Sequence, residues 1–210
     1  MAVVCPTVTA TGTHDYRKQV ETLLPFAKRL HIDLMDGDFA LTESPPLDQI
    51  WLPHETVNDI HLMFQRPAEH LEQIIKLKPH MVIIHNEADV HHMHFAAQLH
   101  KHDIEVGLAI LAETPIEWAE QIMHSFDHIL IFSGNLGHQG GSEVNFELLD
   151  KVKFVRERHP DAEIGWDGGV NDANARQLVE AGVDVLNVGG FIMHANDPAE
   201  AYKQLTEVLI

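Results

Sequence analysis

Short runs of apolar and β-branched residues alternate with longer amphipathic stretches along the whole chain, a pattern that predicts parallel strands joined by helical crossovers. Eight strands are expected: Val3–Thr9, His31–Met35, Asp59–Met63, Met81–His85, Glu105–Ile110, His128–Phe132, Glu163–Trp166 and Val185–Val188. Their spacing averages roughly 26 residues, close to what one strand, one helix and two short loops require. Apolar residues three or four apart mark the intervening helices. Examples are Val20, Leu23, Leu24 and Ala27; Leu71, Ile74, Ile75 and Leu77; and Leu148, Leu149, Val152 and Val155. No composition shift or low-complexity linker interrupts the series. The pattern therefore predicts an α/β fold with one domain over residues 1–210, a single (β/α)8 TIM barrel rather than an open doubly wound sheet.

Composition narrows what such a barrel does. The 210 residues carry 32 acidic against 14 basic side chains, a formal charge of −18. That balance disfavours nucleic acid and anionic membrane as partners. No apolar run approaches the length of roughly 20 residues that crosses a bilayer. The expected setting is cytoplasmic. Cys5, the lone cysteine, suits a reducing compartment and is expected as a small buried residue of the first strand. The 17 histidines, among them His91, His92 and His94, belong mostly on helix surfaces or loops.

In barrels of this kind the reactive groups sit at the C-terminal ends of the strands. His31 and Asp33 stand two apart in HIDLMDG, so period-two alternation turns both inward. His61 lies near the end of DIHLM, and Asp167 follows the seventh run in GWDGGV. Two imidazoles and two carboxylates at one mouth suit one divalent ion such as Zn, Fe, Mn or Co, because those metals accept mixed nitrogen and oxygen ligation. Met35 and Met63 follow ligand positions by two residues and should face inward as an apolar cap, a plain core role being equally open. Glycines cluster after the last three strands: SGNLGHQGGSE, then Gly168 and Gly169, then Gly189 and Gly190. Such clusters let backbone N–H groups approach a phosphate, a local answer to the negative net charge.

These segments together resemble the ribulose-phosphate 3-epimerase family over essentially the whole chain. The motifs are HIDLMDG at 31–37, DIHLM at 59–63, IIHNEA at 83–88, GLAILAETP at 107–115, SGNLGHQGG at 133–141, WDGGV at 166–170 and AGVDVLNVGG at 181–190. The resemblance implies a barrel of the ribulose-phosphate-binding type, acting in carbohydrate metabolism on the pentose phosphate pathway. It implies a metal on His31, Asp33, His61 and Asp167, with Asp33 and Asp167 also serving as acid and base. Thr7, His61, Gly137, Gly140, Gly168, Gly169, Gly189 and Gly190 are the expected substrate and phosphate contacts, and Met35, Met63 and Phe132 the pocket wall.

Several positions depart from the family pattern. Thr7 stands for a serine, Thr9 for a leucine and Asp38 for a histidine. Leu111 and Ala112 replace an Asn-Pro pair, Leu136 a proline and His138 a phenylalanine. Phe132 replaces a methionine and Gly190 a serine. The ligand set is complete while the shell that reads the substrate has drifted.

The resemblance thus implies an isomerase that inverts C3 of a ketose phosphate, D-ribulose 5-phosphate to D-xylulose 5-phosphate, through an enediolate. A hexulose phosphate such as allulose 6-phosphate is the alternative substrate, and a catalytically silent sugar-phosphate-binding barrel the alternative from another class. A metal-dependent hydrolase would want an HxH pair where this chain has HxD, and the DxKxxD array of related decarboxylases and aldolases is missing after Asp33. The expected partners are a small sugar phosphate and further copies of the chain in a homo-oligomer.

Overall fold

The computed structural model describes residues 2–209, so the outermost residue at each end of the expected 1–210 domain lies outside it. Its strands are β1 (Val3–Thr9), β2 (Arg29–Met35), β3 (Val57–Met63), β4 (Met81–His85), β5 (Glu105–Ile110), β6 (His128–Phe132), β7 (Glu163–Asp167) and β8 (Val185–Val188). They close into one parallel barrel in sequence order, β8 pairing back onto β1. Helices α1 (Thr13–Leu23), α2 (Leu71–Leu77), α3 (His92–His100), α4 (Glu120–Met123), α5 (Leu149–Arg158), α6 (Ala175–Glu180), α7 (Gly190–Met193) and α8 (Pro198–Val208) carry the connections.

Both faces of the strands are covered, which is why they read as nearly continuous apolar runs. Outward residues such as Ile32, Ile60, Ile84, Leu108, Ile131 and Trp166 join the helices' inner faces in one core. Trp166 is fully buried, and truncating it to alanine would cost about 3 to 5 kcal/mol. The barrel interior is divided. Beside β4, β5 and β6 it is apolar, filled by Met81, Ile83, Ala109 and Leu130. Beside β1, β2, β3 and β7 it is polar, with Thr7, His31, Asp33, Asp59 and His61 all buried. Cys5 is a free thiol in β1 and fully buried, as expected.

Three boundaries differ from the pattern-based expectation. β2 begins at Arg29 and β3 at Val57, two residues early in each case, while β7 runs one residue further to Asp167. Arg29 reads as a surface residue, yet its guanidinium is turned into the barrel floor, where Asp59 and Glu163 accept its hydrogen bonds. The crossover between β2 and β3 holds only a 3-10 turn, Leu47–Gln49, where the regular alternation anticipates a helix. Pro45, Pro46 and Pro53 in that stretch remove backbone donors and disfavour helical conformations at the residues before them. The apolar series around Val20 also overruns its helix, because α1 ends at Leu23.

Candidate active site

The strand register brings His31, Asp33, His61 and Asp167 together. Thr9 lies opposite Asp33 across β1 and β2, Asp33 opposite His61 across β2 and β3, and Asp167 opposite Asn187 across β7 and β8. His61 Nδ1 is 3.0 Å from Asp33 Oδ1 and 3.2 Å from His31 Nε2. His31 Nε2 is 3.3 Å from Asp33 Oδ1 and 3.5 Å from Asp167 Oδ2, and His61 Nδ1 is 3.8 Å from Asp167 Oδ2. Four ligands about 2.0 Å from a tetrahedral ion stand roughly 3.3 Å apart, so these separations fit a first-row divalent metal. Mutual hydrogen bonding alone cannot satisfy them, because each of the two inward ring nitrogens faces more neighbours than the single proton it can hold. All four donor atoms lie within 4.8 Å of one another, a group that could hold a metal ion.

The electrostatics lead to the same conclusion. Burial opposes a charge on His31, but the carboxylates of Asp167 and Asp33 outweigh it and raise its pKa to about 10. Burial likewise disfavours ionised Asp33, yet His31 and His61 hold it well below the usual carboxylate range. The cluster therefore demands positive charge, which a proton on His31 or a metal ion supplies. Thr9 Oγ1 donates to the second oxygen of Asp33 at 2.6 Å. The Thr9 backbone is paired in both directions with the Gln19 side-chain amide of α1. Behind His61 stands His85, the last residue of β4, whose Nε2 is 2.8 Å from His61 Nε2. Burial pushes the His85 imidazole down to about 4, so it is neutral at pH 7.

Above the tetrad opens a cavity of about 270 Å³. Asp33 and Asp167 reach its wall, whereas His31 and His61 are fully buried and do not. Thr7, Met63, Phe132 and all six expected phosphate glycines line it. Met35 does not; it packs with Ala40 and Met63, and its sulfur lies 3.1 Å from Thr42 Oγ1. Gly168 and Gly169 sit at φ +117° and +75°, and a side chain at either would strike the backbone of the loop after β6. That loop is tied down. Gln139 Nε2 donates to the Thr7 carbonyl at 2.8 Å, and Thr42 Oγ1 donates to the Gly137 carbonyl at 2.9 Å.

Among the described residues, no lysine or arginine lines the cavity, so an anion there would be held by backbone N–H groups, by hydroxyl and amide side chains such as Ser142, Asn171 and Asn187, and by the imidazoles of His138 and His194. Sequence reasoning assigned no role to Thr9, His85, Gln139, Asn187 or His194. Thr9 stands two residues after Thr7, so alternation alone would have turned it inward. Asn187 is the one polar residue of a buried four-residue strand, and its side-chain atoms have no protein partner. Gln139 and His194 carry no comparable signal.

Comparison with known proteins agrees with this architecture. The chain is similar to the ribulose-phosphate 3-epimerase of Helicobacter pylori, 31% identical over 98% of this chain and 97% of that protein. It is also similar to the ribulose-phosphate 3-epimerase of Schizosaccharomyces pombe, 28% identical over 97% and 92% respectively. Among solved structures it superposes on 3-keto-L-gulonate-6-phosphate decarboxylase from Vibrio cholerae, with TM-score 0.74 and 8% identity over 99% of this chain and 97% of the other, a likeness of fold alone. The profile described as the Ribulose-phosphate 3 epimerase family matches residues 3–193. With that match spanning all eight strands and the four-residue cluster, the chain belongs to the ribulose-phosphate 3-epimerase family and is an enzyme of the isomerase class.

Proposed function

We propose that this chain inverts C3 of D-ribulose 5-phosphate to give D-xylulose 5-phosphate, with Asp33 and Asp167 as the two proton carriers. The observation that carries the reading is that two carboxylates from separate strands, β2 and β7, reach one cavity while their ring partners stay buried. One aspartate removes the C3 proton and the electron pair moves into the adjacent carbonyl, giving an enediolate. The other aspartate, protonated, returns a proton to the opposite face of C3. Inversion leaves one carboxyl protonated and its partner ionised, so a proton must pass back between them before the next turnover. A divalent ion on His31, Asp33, His61 and Asp167 would supply Lewis-acid stabilisation of the negative charge that develops on the substrate oxygens.

Thr7 supports the substrate end of this reading, since its buried hydroxyl has no protein partner and lines the cavity. The glycines of the last three loops support the phosphate end. Binding energy at that remote group helps hold the reacting carbon in place, so ribulose without its phosphate should react far more slowly.

The decisive experiment incubates metal-defined protein with ribulose 5-phosphate in D₂O and follows the C3 proton by NMR. Loss of the C3 proton signal together with appearance of the xylulose epimer is expected. Tight binding with no exchange would instead identify a silent sugar-phosphate-binding barrel.

A further inference from the structure

A metal ion on the four-residue cluster would fix the tautomers of the side chains behind it. His61 turns Nδ1 toward Asp33, His31 and Asp167, so Nδ1 is its ligating atom and must present a lone pair. A neutral imidazole with a bare Nδ1 carries its proton on Nε2. That proton points at His85 Nε2, 2.8 Å away, which must accept it. The His85 proton is then confined to its own Nδ1. This atom is fully buried and lies 3.6 Å from Glu87 Oε2, and both atoms lack any closer hydrogen-bond partner. A movement of about half an ångström brings the two into hydrogen-bond range.

We propose that His85 and Glu87 are positioning residues, forming a chain of directed hydrogen bonds from Glu87 through His85 to His61 that fixes the tautomer and ring orientation of this metal ligand. The inference rests on the metal reading of the cluster.

The surroundings suit the task. Phe39 and Phe132 pack their rings against His85 at centroid distances of 4.6 and 5.6 Å, excluding water that would offer competing hydrogen bonds. The His92 ring contacts the His85 carbonyl, its Nε2 3.0 Å from the oxygen. Glu87 is held from its other side, where Oε1 accepts the Leu111 N–H at 3.2 Å. The loop that carries Leu111 is clamped by Lys151, whose ammonium donates to the carbonyls of Leu111, Ala112 and Thr114 at 2.7, 2.9 and 2.7 Å. The second ligating imidazole has no such support. His31 Nδ1 is buried with no hydrogen-bond partner among the described residues. Of the two ligating imidazoles, His61 is therefore the one oriented from behind, through His85 and a carboxylate beyond the ligands themselves.

Cobalt(II) binding to the full-length chain, measured by competition with a chelator, tests the inference without reference to turnover. Glu87→Gln leaves one carbonyl, which the Leu111 N–H holds, and turns an NH2 group toward the His85 Nδ1 proton, and His85→Leu removes the acceptor for His61. Each is expected to weaken cobalt binding about 10- to 100-fold, as the loss of groups behind metal-bound histidines commonly does. His85→Gln restores a carbonyl acceptor and should recover much of the loss. Nitrogen-15 NMR of zinc-loaded protein should find His61 protonated on Nε2 and His85 on Nδ1. Cobalt affinities of Glu87→Gln and His85→Leu within threefold of the parent would overturn the inference, as would a proton on His85 Nε2. If circular dichroism shows that His85→Leu does not fold, Glu87→Gln and the NMR measurement decide. A parent chain that binds no cobalt overturns the metal reading, and this inference with it.

Discussion

The same three strands build two charged clusters, one at each end of the barrel, and the two clusters balance their charge differently. At the floor, Arg29 of β2 donates to Asp59 of β3 at 2.5 Å and forks onto Glu163 of β7 at 2.8 Å through both terminal nitrogens. His128 and His80 add contacts at 2.8 and 3.3 Å. At the mouth, two or four residues further along the same strands, the ionisable partners of Asp33 and Asp167 are His31 and His61. The floor contains a permanent cation, shared by its two carboxylates, with an imidazole beside each. The mouth has two acids and no permanent cation, so it must take up a proton or a metal. A finished ion pair serves structure; an unfinished one serves chemistry.

The largest expected effect comes from removing the mouth's proton carriers. Asp33→Asn and Asp167→Asn should each lower kcat by about 10²- to 10⁴-fold, the usual range for lost acid–base catalysis, with the fold intact. Metal content must be measured in parallel. Metal-loaded variants that epimerise at the parental rate would rule out the two-carboxylate mechanism.

Breaking the floor should do the reverse. Arg29→Met strands Asp59 and Glu163 without their cation, and a loss of about 3 to 5 kcal/mol is expected in urea unfolding, as for other buried pairs deprived of one partner. The folded fraction should keep its kcat. A variant as stable as the parent would show that the floor is not an energetic brace.

The pH dependence of stability in metal-free protein separates the two ends more finely. His31 is raised to about 10 in the fold, so its contribution is complete below its ordinary value near 6.5 and is lost as pH rises toward 10. Glu163 is held low by His128 and Arg29 against the opposing effect of burial, and Asp33 is also held low. Their contributions are complete above the ordinary carboxylate range and are lost as pH falls below it. Acid should therefore loosen both ends, and alkali should loosen the mouth more than the floor, where the half-exposed His80 is raised by its hydrogen bond to Asp59 and loses its smaller contribution as pH rises. Urea midpoints at about pH 3, 6 and 10 check this, and Asp167→Asn should flatten the alkaline fall.

The smallest effect concerns Thr9. Thr9→Val removes one hydrogen bond from the Asp33 carboxylate, worth roughly 1 kcal/mol, and should raise the acid limb of the kcat/KM profile by less than about one pH unit. An unmoved limb would show that this bond does not tune Asp33.

What the sequence revealed followed from local rules. Five of the eight strands lie where the apolar runs placed them, and the cluster was legible because His31 and Asp33 obey period-two alternation and His61 and Asp167 stand at strand ends. What stayed hidden depends on partners far along the chain. Arg29 enters the barrel because of a carboxylate 134 residues away, and Gln139 closes its loop on a carbonyl 132 residues away. No window of sequence contains both members of either pair. Likewise HNE in β4 and the turn after it gives no hint of a ligand's support until His85 is seen beside His61.

The fork between Arg29 and Glu163 also bears on how the barrel assembles. Asp59 lies only 30 residues from Arg29 and can pair with it once β2 and β3 have met. Glu163 arrives 134 residues later, after six strands have been laid down in order. The second arm of the fork thus forms only as the ring shuts, and only if β7 approaches β2 at the correct height. Parallel sheets gain most of their contacts late because the chain must loop far before they form. In this chain a single guanidinium couples that late event to the stagger of the strands, so the register that places Asp167 beside His31 is checked from the opposite end of the barrel.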